Sequence, residues 1–391
     1  MSTNARWWES LPHDYYRHVE PTAVDRENRL KVRGSAGLDR LLRTGLGTLV
    51  TGAMTPGYLA RAGVARERER LRWYHRHADE ADRATIFQRP AGLVPIDESK
   101  PGWFDYRPSG IPCRQWSFES PFEPLNPALR AAYGKSTRNR TARALHLHHG
   151  DRARPTLIWL HGYTLDSYRV NSLGFALPWL WKHGYDILMV TLPFHGPRAE
   201  SWHPFSGYGY FAGGMAHANE AMLHAVHDIR IFIDHLFDAG APSVGISGLS
   251  LGGYLTALTA SVDERLSFAI PNSPLVVPID MALQWQPIGT ALRLLKWRDG
   301  FDITEMRHGM ALHSPLTWQP LIDPSRLLVI GGAGDRFTAP SFVKLLHDHW
   351  QGSQLHWFPG NHVLHFQQGV YLRMMKRFMD KATGQGRFAH G

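Results

Sequence analysis

The chain holds a single cysteine, Cys113, in 391 residues. No intramolecular disulfide can form, and neither a cysteine-based metal cluster nor a paired-cysteine redox site can be built. Cys113 reads as a small packing residue, in keeping with a reducing compartment. Long uncharged apolar runs are also missing. The most apolar early stretch, residues 46–64, is broken by threonines, glycines, Pro56 and Arg61, which makes it a poor membrane span. The first ten residues, MSTNARWWES, lack the basic-then-apolar order of a secretory leader. There is no Walker loop, no zinc-finger spacing, no RNA-binding aromatic signature and no internal repeat. These absences predict a cytoplasmic protein with no nucleic-acid partner. Peripheral contact with a membrane stays open, because the formal net charge is +9 and a basic surface is drawn to anionic ones.

Hydrophobic residues make up 43% of the chain, enough to bury a sizeable core. The length fits one large α/β domain with added elements, or two domains. Residues 1–115 read as an N-terminal helical extension and Pro-rich linker ahead of a catalytic domain at 116–391. Helical periodicity runs over 25–50 and 61–84. The second segment contains ARERERLRWYHRH, whose alternating charges predict a solvated face with intrahelical pairs; a basic membrane-facing surface is the sharper reading. Pro90, Pro95, Pro101, Pro108 and Pro112 predict an extended linker over 86–112.

Residues 114–120 and 142–148 predict two antiparallel strands, with a short helix between them in 120–134. His146 and His148 share a strand face, with His149 and Asp151 close by; an exposed strand end is preferred there over a metal site. From residue 155 strands alternate with helices. The strands are expected at 156–160, 186–191, 243–247, 267–270, 327–331 and 354–358. The helices are expected at 173–182, 215–239, 251–261, 339–350 and 366–381. This order predicts an α/β protein with a mostly parallel central sheet covered on both faces, and a site at the carboxyl ends of the strands. Residues 278–320 interrupt the alternation with Met281, Leu283, Trp285, Trp297, Met306, Met310 and Trp318. They form either a lid that supplies an apolar acyl pocket or ordinary helix packing.

The chemistry centres on Gly248-Leu249-Ser250-Leu251-Gly252. A serine in a tight strand-to-helix turn needs small residues two positions away on either side. Its hydroxyl is a weak nucleophile, so it needs a histidine to take its proton and an acid to orient that histidine. After an apolar strand, Gly331-Gly332-Ala333-Gly334-Asp335 puts Asp335 just past the strand end. Asp323 falls before that strand, and Asp302 and Glu305 fall in the insert. Pro359-Gly360-Asn361-His362 follows the last strand and offers His362 as the base, with His365 as second choice. The plain alternative for Asp335 is an aspartate that caps its own loop. The oxyanion needs two N–H donors. Leu251 follows the nucleophile, and Tyr163 follows His161-Gly162 at the end of an earlier strand. His161, Gly162, His195 and Trp285 are the substrate-pocket candidates. A structural hydrogen bond is preferred for His161, and a loop-stabilising role for His195 and Arg198.

With HGY, GLSLGG, GAGD and PGNH in this order, the chain from about residue 115 onward resembles the α/β-hydrolase superfamily. More narrowly, FESP (118–121), LPFHGPR, GISGLSLGG and WQGSQLHWFPGNH resemble the abhydrolase-domain-containing type eighteen branch. Asn361 stands where related histidine loops carry glycine. The resemblance implies the α/β-hydrolase fold and a Ser250–His362–Asp335 triad that uses no metal and no cofactor. The expected activity is hydrolysis of a carboxylic ester with a lipid-like or apolar acyl group. Peptidase, thioesterase or acyltransferase chemistry would use the same residues, and a non-catalytic binding protein would keep only the fold. A serine at the elbow disfavours aspartate-nucleophile chemistry.

Overall fold

The computed structural model describes residues 6–22, 29–90, 92–150 and 152–384. Among them a nine-stranded sheet is formed by β1 (Asp97–Ser99), β2 (Cys113–Glu119), β3 (Thr141–Leu147), β4 (Thr156–Leu160), β5 (Asp186–Thr191), β6 (Val244–Leu249), β7 (Phe268–Asn272), β8 (Leu328–Gly332) and β9 (Gln354–Phe358). Its order is β1-β2-β3-β5-β4-β6-β7-β8-β9. The pairs from β1 through β3 to β5 are antiparallel, and every pair from β5 to β9 is parallel.

The parallel strands β4, β5, β6, β7 and β8 are buried along their whole length, as strands covered on both faces must be. Side-chain alternation splits them between two cores. Ile158, Leu160, Leu188, Val190 and Ile246 face one layer, which includes the helices Met215–Asp238 and Leu251–Ala260. Leu157, Trp159, Ile187 and Met189 face the other, which includes Leu177–Lys182 and Gln368–Thr383. Cys113 is half-buried and packs at the edge of that second core.

Three expectations need correction. The Pro-rich stretch is not wholly linker, since Asp97–Ser99 pairs along β2 as a three-residue edge strand. The single helix expected at 173–182 is two, Tyr168–Gly174 and Leu177–Lys182, separated by Ala176 in the left-handed region. The charged helix Arg61–Glu80 is not simply a solvated face. Glu69 and Arg72 do pair across its exposed side. Glu67, however, is buried, accepts the Ala216 N–H at 2.8 Å and takes the Tyr58 hydroxyl at 3.2 Å. A carboxylate at the amino end of Met215–Asp238 meets the positive end of that helix dipole. Leu71, Tyr74 and Ala78 on the same helix join the first core.

The longer helix Arg29–Tyr58 leans over the carboxyl ends of the strands beside the insert. The expectation of a helix from residue 25 begins outside the described residues. The insert forms three helices, Pro278–Gln284, Ile288–Asp299 and Ile303–Gly309, between β7 and β8. The fully buried Arg307–Asp280 pair braces it. Arg307 donates to both carboxylate oxygens at 2.6 and 2.8 Å and to the carbonyls of Leu11 and Pro12. His146 is half-buried and packs against Trp116, while His149 Nδ1 lies 2.7 Å from Asp186. Asp151 lies outside the described residues. No helix among the described residues is long and apolar enough to cross a membrane.

Candidate active site

Ser250 sits between β6 and the helix Leu251–Ala260 with φ 56° and ψ −110°. A non-glycine residue there stores about 1–3 kcal/mol of strain and persists only where its surroundings force it. Those surroundings are visible. The Ser250 N–H donates to the Asn272 carbonyl at 3.0 Å, and the Ser250 carbonyl accepts from Leu275 and Tyr254. Close packing sets the glycines: a Cβ on Gly252 would lie 2.2 Å from the Leu160 carbonyl oxygen, and one on Gly248 2.6 Å from the same atom. The turn is thereby pressed against the end of β4 and the serine is pushed outward. Its side chain is half-buried, and its hydroxyl takes no hydrogen-bond partner among the described residues.

Asp335 and His362 come from the loops after β8 and β9. His362 Nδ1–H donates to Asp335 Oδ2 at 2.7 Å. The other Asp335 oxygen accepts the N–H groups of Phe337 at 2.8 Å and Thr338 at 2.9 Å. Asp335 therefore caps its own loop and orients the histidine at once. The Phe337 ring stacks on the imidazole with centroids 4.8 Å apart, and Asn361 shapes the loop by accepting the N–H groups of Val363 and Leu364.

The electrostatics follow from this pairing. Burial alone would raise the Asp335 pKa, but the adjacent His362 and the hydrogen bonds from His362 and Thr338 hold it below the ordinary carboxylate value. Burial alone would lower His362; the charge and hydrogen bond of Asp335, helped by the charge of Asp39, raise it above the ordinary histidine value.

Ser250, His362, Leu251, Gly162, Tyr163 and Trp285 line one cavity of about 310 Å³. Gly162 comes close to the elbow, since a Cβ on it would lie 3.6 Å from the Ser250 Cβ. Neither the Tyr163 N–H nor the Leu251 N–H has a partner among the described residues. The remaining wall is apolar apart from Thr164. Leu42, Leu46, Val50 and Met54 come from Arg29–Tyr58, and Met281 with Trp285 from the insert. Trp285 is fixed by its indole N–H to the Phe337 carbonyl at 3.2 Å.

His161 and His195 are not among the residues lining the cavity. His161 Nδ1 lies 2.8 Å from the Gly162 carbonyl and Nε2 accepts the Leu192 N–H, which ties the β4 and β5 loops together. His195 is fully buried with Nδ1 on the Pro193 carbonyl. Arg198 is also buried and pairs with Asp228. His365 bonds Tyr371 and packs against Phe358. Asp323 and Asp302 cap short helices, and Glu305 pairs with Arg68. Three contributors escape a reading of local motifs: Phe337, the wall of Arg29–Tyr58, and Asp39 on that helix.

No family model matches the chain. Two uncharacterised proteins of Mycobacterium tuberculosis, from strains CDC 1551 and H37Rv, are each 30% identical to it over 263 residues. The alignment covers 64% of this chain and 58% of each relative, so the chain spans less than two thirds of their length. Among solved structures, acetyl xylan esterase 1 from Thermoanaerobacterium sp. JW/SL YS485 superposes with a TM-score of 0.57 at 15% identity, covering 80% of this chain and 93% of that one. The acetyl xylan esterase from Paenibacillus sp. R4 gives 0.53 at 15% identity, covering 79% and 94%. The chain has the α/β-hydrolase fold that these enzymes share.

Proposed function

We propose that the chain is a serine hydrolase that cleaves a carboxylic ester with an apolar acyl group. The observation that carries this reading is the bonded Asp335–His362 pair, whose imidazole lines the same apolar cavity as a strained, unpartnered Ser250. With Nδ1 committed to Asp335, Nε2 is the nitrogen free to take the serine proton. Ser250 Oγ attacks the acyl carbon and its proton passes to His362. The carbonyl electron pair moves to oxygen, where the Tyr163 and Leu251 N–H groups receive it. Collapse expels the alcohol, which takes the proton from His362. Water then repeats the sequence on the acyl-enzyme and releases the acid.

An acyl pocket walled by Leu46, Val50, Met54, Met281 and Trp285 suits an alkyl or aryl acyl chain and offers little to a sugar. The two superposed enzymes are esterases by name, which agrees with an ester as substrate and leaves the acyl group to the pocket. Leu42 and Val363 line the cavity and are also exposed; such an apolar rim fits delivery of a lipid-like substrate at a membrane surface. The narrower likeness to the abhydrolase-domain-containing type eighteen branch rests on the sequence stretches alone.

The test is turnover of p-nitrophenyl esters from acetyl to dodecanoyl by the full chain and by Ser250→Ala and His362→Ala. The reading expects hydrolysis that peaks above acetyl and is lost in both variants. Undiminished turnover by Ser250→Ala would overturn it.

A further inference from the structure

Asp39 belongs to the helix Arg29–Tyr58, far from every triad motif in the sequence, yet its carboxylate is fully buried beside the triad loops. Its Oδ2 accepts the Arg336 N–H at 3.0 Å and the His362 N–H at 3.0 Å. Arg336 directly follows Asp335. One oxygen therefore bridges the loop bearing the acid and the loop bearing the base. Arg43, one turn further along the helix, donates to the Arg336 carbonyl at 2.8 Å. The Gly334 N–H joins the same two loops directly, through the Gly360 carbonyl at 2.7 Å.

The second oxygen of Asp39 is buried without a partner among the described residues. A buried unpaired carboxylate oxygen is costly, and its retention calls for an explanation. A neutral asparagine could supply the acceptor that bridges the loops. Only a carboxylate adds a negative charge whose field reaches the His362 imidazole, which must become cationic during catalysis.

We propose that Asp39 is a positioning residue for the triad: it fixes the Asp335 and His362 loops relative to each other and biases His362 toward its charged form. The proposal rests on the triad assignment above. It makes the N-terminal helix part of the catalytic machinery, because the same helix supplies the acyl-pocket wall through Leu46, Val50 and Met54. The titratable and charged groups around Asp39 are Asp335, His362, Arg336, Arg43 and Arg40. Burial, then the Asp335 charge, pushes Asp39 up to about 6. Below that pH the bridge loses its charge, and imidazolium formation on His362 loses one source of support.

The test compares full-length Asp39→Ala and Asp39→Asn with the parent enzyme on p-nitrophenyl butyrate, as kcat, KM and pH profile. Asp39→Ala is expected to lose roughly 10- to 100-fold in kcat, as misplaced catalytic groups do, with KM nearly unchanged. Asp39→Asn keeps an acceptor and is expected to recover most of the kcat at the optimum. Its acid limb is expected to move to lower pH, a change that a packing role alone would not produce. If Asp39→Ala does not fold, the acid limb of Asp39→Asn decides. Parental kcat in Asp39→Ala, or a parental acid limb in Asp39→Asn, overturns the proposal. If Ser250→Ala is inert while Asp39→Asn matches the parent in every respect, Asp39 fails and the triad stands. If Ser250→Ala is active, the triad reading itself has failed.

Discussion

The Asp335 carboxylate holds His362 through Nδ1 at 2.7 Å while the Phe337 ring stacks on the imidazole face. The ring is thus fixed in both tautomer and plane. Asp335→Asn would place an amide where the carboxylate accepts the Nδ1 proton, which favours the wrong tautomer. The expected loss in kcat is on the order of 10³- to 10⁴-fold, measured on a p-nitrophenyl ester, with little change in thermal midpoint. Near-parental kcat would remove Asp335 from the mechanism.

The acid limb of the pH–rate profile follows from the same pair. His362 must be neutral to accept a proton, and its pKa is raised from the ordinary 6.5. Activity should therefore fall, as pH drops, with a midpoint above that ordinary value. The limb of kcat/KM reports the free enzyme and is the measurement to make. A midpoint below 6.5 would mean that burial outweighs Asp335.

The apolar cavity, read as the acyl pocket proposed above, gives a prediction about chain length. Val50 is buried in the cavity wall, and Val50→Trp would fill part of the space. Turnover of an octanoyl ester should fall by roughly tenfold or more in kcat/KM, since each methylene excluded from such a pocket costs about 1–3 kcal/mol. An acetyl ester should be nearly unaffected. Equal losses on both esters would place the acyl chain elsewhere.

Arg307 and Asp280 are fully buried and paired in the insert. Arg307→Ala strands the Asp280 charge and frees the carbonyls of Leu11 and Pro12. Loss of about 3–5 kcal/mol of stability is expected, read as a large fall in thermal midpoint. A midpoint close to the parent would show that the insert is held by apolar packing alone.

What the sequence revealed and what it hid have physical causes. Strands 156–160, 186–191 and 354–358 could be read to the residue because short β-rich runs there end at Gly, Pro or polar breaks. β6 and β7 run past their expected ends into Gly248-Leu249 and Pro271-Asn272, where parallel pairing overrides poor strand propensity. The edge strand Asp97–Ser99 was hidden because all three residues are exposed, so no alternation marks it. The turns that carry Ser250, Asp335 and His362 were legible because each follows a strand, and the sheet itself sets their order. Asp39 was not. It reaches His362 across 323 positions, and helical periodicity reveals which face of a helix is buried without revealing what it is buried against.

The most direct measurement is the site of covalent capture. The full chain is treated with a fluorophosphonate, digested, and the modified peptide sequenced by tandem mass spectrometry. The account predicts one adduct, on Ser250, absent after Ser250→Ala and slowed strongly in His362→Ala. An adduct on another residue, or none on an enzyme that turns over esters, would contradict it.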